Sequence, residues 1–366
     1  MEDPLNTGHP SREDTALYKG MGILLIVLHN YFHWVKPNPG QNEFTFDRER
    51  AISLLDGLVT QPLEAVNLLF SYFGHYGVQF FVFLSAYGLA RTHIGREIRW
   101  APFMWRRAGR IYPTFVLAVA AHLLFVVTLR NEHLLWFLKA YALKLSMLSA
   151  FVPNMQLSMV GPWWFFSFIF QFYAVFPLLN RLAPRYRAGS LLAVAAGGLA
   201  ITIVANPYLI PHGLNLYFTV LGHLPVLCLG IYLARADKLS VDHRLVLAAA
   251  VIFVLGNWFE ALWYLAPICV TLLLIASVPR LIERLRAWPP AYRFVMYCGA
   301  VSLPLFAIHG MIRQPFTQAA NNGGAWYFTL ALAVVFLVAS LAAAQSMLWI
   351  ESRGRKWVTA SGTRES

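Results

Sequence analysis

Ten apolar stretches, at 17–34, 68–90, 111–128, 162–180, 189–205, 215–234, 245–259, 262–278, 295–312 and 326–350, are each long enough to cross a lipid bilayer or nearly so. A crossing helix needs about 20 residues at roughly 1.5 Å each. Inside hydrocarbon every backbone N–H and C=O must find its partner within the chain, so stretches of this kind fold as helices. Composition agrees: 58% of the 366 residues are hydrophobic and 13% charged, far from a soluble domain of this length. The sequence therefore predicts an all-α integral membrane protein of about ten transmembrane helices, with a single membrane domain over 1–350 and a short tail at 351–366. Loop 35–67 is long enough for a small outward cap. Segment 135–151 is apolar but carries Lys139 and Lys144, which reads as an amphipathic helix lying at the interface. The polar, mixed-charge opening 1–17 does not resemble a cleavable leader.

Basic residues set the expected orientation, because they accumulate in cytoplasmic loops. With the N-terminus inside, segments 1–19, 91–110, 181–187, 235–244, 279–293 and 351–366 hold 22 of the 29 Lys and Arg. Both termini are thus expected in the cytoplasm. Segment 1–19 alone, with four acids and two bases, runs the other way and is outvoted. The net charge of +12 is spread over these short loops, so it reads as a topology signal toward anionic lipid and not as a nucleic-acid surface. Cys228, Cys269 and Cys298 lie in or beside apolar segments without metal-like spacing, and neither a metal site nor a disulfide framework is expected.

Polar side chains within the apolar runs are the candidates for function, since such groups are expensive at depth. His29 lies about 15 Å along the helix from Lys19. His33 is one turn on and shares its face, and Asn30 is aligned with Lys19. Further along come the strings Gly77-Val-Gln-Phe-Phe-Val-Phe-Leu-Ser85-Ala-Tyr87-Gly88, Arg106-Arg107-Ala-Gly-Arg110-Ile-Tyr112-Pro113, Trp163-Trp164-Phe-Phe-Ser167-Phe-Ile-Phe-Gln171-Phe172-Tyr173 and Ser302-Leu-Pro-Leu-Phe-Ala-Ile-His309.

Together with Lys19…His29, these strings resemble, in order and on the expected sides, the membrane-bound acyltransferase 3 family, which includes bacterial enzymes that O-acetylate surface polysaccharides. Two departures stand out. Many members carry Arg where Lys19 stands, and many carry Glu near Ile169 or Phe170, where this chain has no acid.

The resemblance implies an O-acyltransferase of the bacterial inner membrane, with acetyl-CoA as donor and an exported polysaccharide or its lipid-linked precursor as acceptor. Imidazole titrates near neutrality and suits removal of a hydroxyl proton, which makes His29 the expected base. Direct attack on the thioester and transient acylation of the imidazole both remain open. His309, with Arg313 just beyond it, is a second catalytic candidate, against the plain reading of a satisfied interfacial histidine. Arg106 and Arg110 share a helix face where guanidinium forks would meet coenzyme A phosphates, and Lys19 joins them as a donor-binding candidate. Contact with anionic lipid would explain some of these charges equally. Asn30, His33, His75, Trp163, Trp164, Gln171 and Tyr173 are candidate acceptor contacts, although interfacial anchoring or helix–helix hydrogen bonding would account for the last four. His223 carries no assignment. Competing functions are a flippase or transporter of a lipid-linked glycan and an envelope glycan polymerase. Membrane lipid, a glycan acceptor and envelope polysaccharide-assembly proteins are the expected partners.

Overall fold

The computed structural model describes residues 8–128, 134–185, 188–236 and 238–362. Among them the chain is helical with no strand. The helices are α1 (Arg12–Phe32), α2 (Arg48–Thr60), α3 (Ala65–Phe73), α4 (Gly77–Thr92), α5 (Trp100–Thr128), α6 (Leu134–Leu145), α7 (Trp164–Arg185), α8 (Ala188–Leu209), α9 (Val220–Leu233), α10 (His243–Gly256), α11 (Glu260–Trp263), α12 (Ala266–Arg286), α13 (Pro289–Ala300), α14 (Ser302–Ile312), α15 (Gln314–Gly323) and α16 (Trp326–Gly362).

Each of the ten apolar stretches coincides with a helix or helix pair. Six segments, Pro62–Thr92, Trp100–Thr128, Gly161–Ala183, Gly189–His212, Ala266–Arg286 and Trp326–Gly354, are long and apolar enough to cross unaided. α13 and α14 make a seventh if counted as one span bent by 84°. α9 and α10 are apolar but shorter. The chain is a multi-pass membrane protein.

α1 is the axis of the bundle. It starts at a capping box, in which the Ser11 hydroxyl accepts from the Asp14 N–H and the Asp14 carboxylate accepts from the Ser11 N–H at 3.0 Å, satisfying two otherwise orphan donors. It packs against α13, α4, α3 and α14. The approach is close because small residues stand at the crossings: a Cβ on Gly20 would fall on the Val295 carbonyl, and one on Gly77 would lie 2.5 Å from the Gly22 oxygen. Without a hydrophobic force between helices in lipid, this backbone-to-backbone packing is what binds them.

α6 covers the first part of the segment that carries the two lysines. Lys139 is exposed, but Lys144 turns inward, where its ammonium donates to the Met155 and Gln156 carbonyls at 2.8 Å each. Its charge is spent on tying down the following loop, not on reaching water. Burial pulls the Lys144 ammonium down to about 7.

Loop 33–47 folds back over the His33 end of α1. Asn215 Nδ2 donates to the Phe44 carbonyl at 2.8 Å, and the Phe44 ring packs on Phe218 and Trp164 at 4.2 and 5.4 Å. α2 follows, capped by Asp47, and lays Ala51 and Leu54 on Leu68 and Tyr72 of α3.

Candidate active site

A cavity of about 380 Å³ lies under this loop. α1 supplies His29, Asn30 and, at its end, His33. His75 comes from the turn before α4, Trp164 from the start of α7, and Arg313 from the junction of α14 and α15. The remaining polar wall is Gln41 and Glu43, from the loop.

Neutral His29 has a single tautomer consistent with its surroundings. Its Nδ1 lies 3.2 Å from the Phe70 carbonyl. A carbonyl only accepts, so Nδ1 carries the proton and Nε2 keeps its lone pair. Among the described residues no group bonds the buried Nε2. The short distance between α1 and the turn at Gly74 makes this possible: a Cβ on Gly74 would sit 2.7 Å from His29 Cβ and 2.8 Å from the Leu25 carbonyl.

The expected helical register holds. His33 stacks on His29 with ring centroids 4.5 Å apart, and its Nδ1–H donates to the His29 carbonyl at 2.7 Å. His75 meets the same ring edge-on at 5.3 Å, with Nδ1 unpartnered. Three imidazoles thus form one cluster. Among the described residues no group of three His, Cys, Asp or Glu side chains is placed to hold a metal ion.

Glu43 is the residue that sequence reading missed. The string Gly40-Gln-Asn-Glu43-Phe-Thr-Phe is short and lies outside every apolar run, so nothing linked its one acid to the histidines. The loop bonds described above carry it into the cavity, where Gln41 Nε2 donates to its carboxylate at 3.2 Å. Burial pushes the Glu43 carboxyl up to about 8, against the opposing effect of the Gln41 bond. Near neutral pH it is chiefly a neutral acid and therefore a hydrogen-bond donor as well as an acceptor.

The remaining candidates separate. Trp164 lines the cavity, whereas Trp163, about 100° around the helix, is wholly buried, donates Nε1–H to the Ala307 carbonyl at 2.8 Å and packs on Phe115. His309 is buried beside Phe306, its Nδ1–H bonded to the Leu305 carbonyl at 3.0 Å and its Nε2 without a partner. It does not line the cavity. Gln171 links helices, accepting from the Val220 N–H at 3.2 Å. Tyr173 lies under the Arg107 guanidinium at the other end of the bundle. His223, unassigned from sequence, stacks on Trp164 at 5.7 Å and donates Nε2–H to the Tyr217 carbonyl.

At that opposite end Lys19 stands close enough to Arg110 to feel its charge. Arg106 and Arg110 are exposed, and Arg107 is half-buried over Phe103 and Tyr173. The two ends of α1 therefore present different chemistry: cations and an aromatic at one, an imidazole cluster with a neutral acid at the other.

A search of curated proteins and of solved structures gives no match. Residues 17–347 match the model of the acyltransferase 3 family, described as an acyltransferase domain, a span that holds Lys19 and His29 of α1 and every residue of the histidine cavity. The chain belongs to the acyltransferase 3 family and is a multi-pass membrane acyltransferase.

Proposed function

We propose that the protein is an O-acyltransferase of the bacterial inner membrane that moves an acyl group, acetyl in the first instance, from acyl-CoA on the cytoplasmic side to a hydroxyl of an exported polysaccharide or its lipid-linked precursor. The observation that carries this reading is His29, whose Nδ1 proton is committed to Phe70 while Nε2 has no partner among the described residues. That is the arrangement a general base needs.

In the direct route, Nε2 takes the hydroxyl proton as the alcohol oxygen attacks the thioester carbon. The C–S bond breaks, and the proton passes from the imidazolium to the departing thiolate. In the two-step route Nε2 itself attacks the thioester carbon, the C–S bond breaks to give an acyl-imidazolium and a thiolate, and the alcohol oxygen then takes the acyl group as the acyl–Nε2 bond breaks, its proton passing to the thiolate and Nε2 regaining its lone pair. Both use the same nitrogen, and both leave the Phe70 bond to orient the ring. Glu43, as a neutral acid, can donate to an acceptor oxygen across the cavity. Lys19, Arg107 and Arg110 are the groups that would receive the anionic end of the donor, with Arg106 next to them on the surface.

The test is transfer of labelled acetyl from acetyl-CoA to a glycan acceptor by the full-length protein in liposomes. His29→Ala should lower the rate by about 10²–10⁴-fold, the usual contribution of a positioned base, while Arg110→Ala raises the apparent KM for acetyl-CoA. Transfer that is unaffected by His29→Ala overturns the reading.

A further inference from the structure

Arg313 is a cation with an unused face. Its Nη1 donates to Asn30 Oδ1 at 3.0 Å, and its guanidinium lies over the Trp34 ring at 4.6 Å. Asn30 is itself held, its amide donating to the Ile26 carbonyl at 3.1 Å, so the Asn30 oxygen is fixed toward the arginine. These contacts set the position of the fork but use one of its five donors. Among the described residues no carboxylate lies within ion-pair distance of it; the three ion pairs are Arg181–Glu97, His243–Asp242 and Arg286–Asp14, all elsewhere. The acid that shares the cavity, Glu43, is bonded to Gln41 instead.

A second cation stands behind the imidazoles. Arg50 is buried, donates Nη2–H to Ser71, and leaves Nε and Nη1 without partners. Removing a cation from water is costly unless an opposite charge or several acceptors replace the water. Asp47, at the N-cap of α2, acts on Arg50 without pairing its guanidinium, and among the described residues Arg313 has no carboxylate within ion-pair distance, so the Arg313 end of the cavity keeps an unpaired positive charge.

We propose that the acyl acceptor is an anionic sugar, whose carboxylate or phosphate group is held by the free edge of Arg313 while a ring hydroxyl is presented to His29 along the Trp164 wall. The guanidinium fork matches two oxygens of either anion, and fixing the charged group at one end of the cavity fixes which hydroxyl reaches the imidazole at the other. This names the acceptor class and rests on the reading that the cavity receives the acceptor.

The experiment measures binding, so that it does not depend on acyl transfer. The full chain in phosphatidylcholine nanodiscs is titrated by saturation-transfer NMR with methyl glucuronide, glucose 6-phosphate and methyl glucoside. The wild type should bind one or both charged sugars at least about tenfold more tightly than the neutral one, a charge-assisted bidentate contact being worth that much. The tighter of the two identifies carboxylate or phosphate as the natural group. Arg313→Gln should bring all three within about twofold, and Arg313→Lys should keep part of the preference, since a lysine offers charge without the fork. Equal binding of charged and neutral sugars by the wild type overturns the proposal. So does a preference that survives Arg313→Gln, or one abolished when phosphatidylglycerol is included, which would make Arg313 a lipid headgroup site. A preference that depends on Arg313 in a protein that transfers no acetyl would leave the anionic-sugar site standing and remove the acetyl-CoA reading; transfer to neutral and charged glycans alike would keep that reading and overturn the anionic acceptor.

Discussion

An imidazole that gives one N–H to a main-chain carbonyl has one nitrogen left for chemistry, and the surroundings of that nitrogen decide its role. His29 and His309 have the same pattern, Nδ1–H bonded to a carbonyl and Nε2 bare, yet only His29 borders the cavity. Sequence spacing made His29 and His33 neighbours, and they are. It could not reveal the tautomer, which depends on Phe70, 41 residues away. Glu43 was equally out of reach, because its place in the cavity is fixed by Asn215 and Phe218 acting on Phe44. Its raised pKa has a thermodynamic consequence. In the unfolded chain the carboxyl loses its proton near 4.5, in the native protein near 8, so between those values the native state holds more protons than the unfolded state and stability falls as pH rises. Below about 4.5 the full contribution is present; above about 8 it is gone. Thermal unfolding of the wild type should therefore move to lower temperature between pH 5 and 8. Glu43→Gln, which cannot ionise, should flatten that part of the curve, and an unchanged slope would show that the carboxyl is solvated.

At the scale of elements, the site depends on how closely α1 approaches the turn between α3 and α4. Helix existence was readable from apolar runs, since each of the ten coincides with a helix or helix pair. Contact distance was not, because a glycine in an apolar run signals a close crossing only once its neighbour is known. Gly74 and Gly88 illustrate the difference: a Cβ on Gly74 meets His29 and Leu25 at under 3 Å, and one on Gly88 meets nothing within 4 Å. Gly74→Ala should force the turn away from α1 and stretch the His29–Phe70 bond. A cost of about 1–3 kcal/mol is expected from such overpacking, with a fall in acyl transfer at temperatures where the variant is still folded. Gly88→Ala, in the same spans, should be neutral or slightly stabilising, as alanine is the better helix residue. Unfolding temperature and transfer rate, measured on both variants, check the pair. Lys144 shows the converse limit of sequence reading: a lysine in an apolar helix suggested a surface, and two backbone carbonyls took it inside.

For the whole molecule the question is which end of the bundle faces which compartment. Among the described residues hydropathy alone marks six spans because α1, the helix that carries His29, is interrupted by Lys19, His29 and Asn30, and α9 and α10 are short. Charge distribution reads more of the topology: the loop segments 91–110 and 235–244 are basic, and they flank spans whose other ends lead toward the histidine cavity. If basic loops lie inside, the cavity opens outward and Lys19, Arg107 and Arg110 face the cytoplasm, which is the polarity that transfer from a cytoplasmic thioester to an exported hydroxyl requires. The three natural cysteines are all buried, so the protein is a quiet background for labelling. Thr45 and Arg96 are exposed, at the cavity end and the basic end respectively. In intact cells stripped of their outer wall, a membrane-impermeant maleimide should label Thr45→Cys and spare Arg96→Cys; after permeabilisation both should react. Labelling of Arg96→Cys alone in intact cells would turn the molecule over, placing the imidazole cluster on the coenzyme A side, and the acceptor would then have to be cytoplasmic.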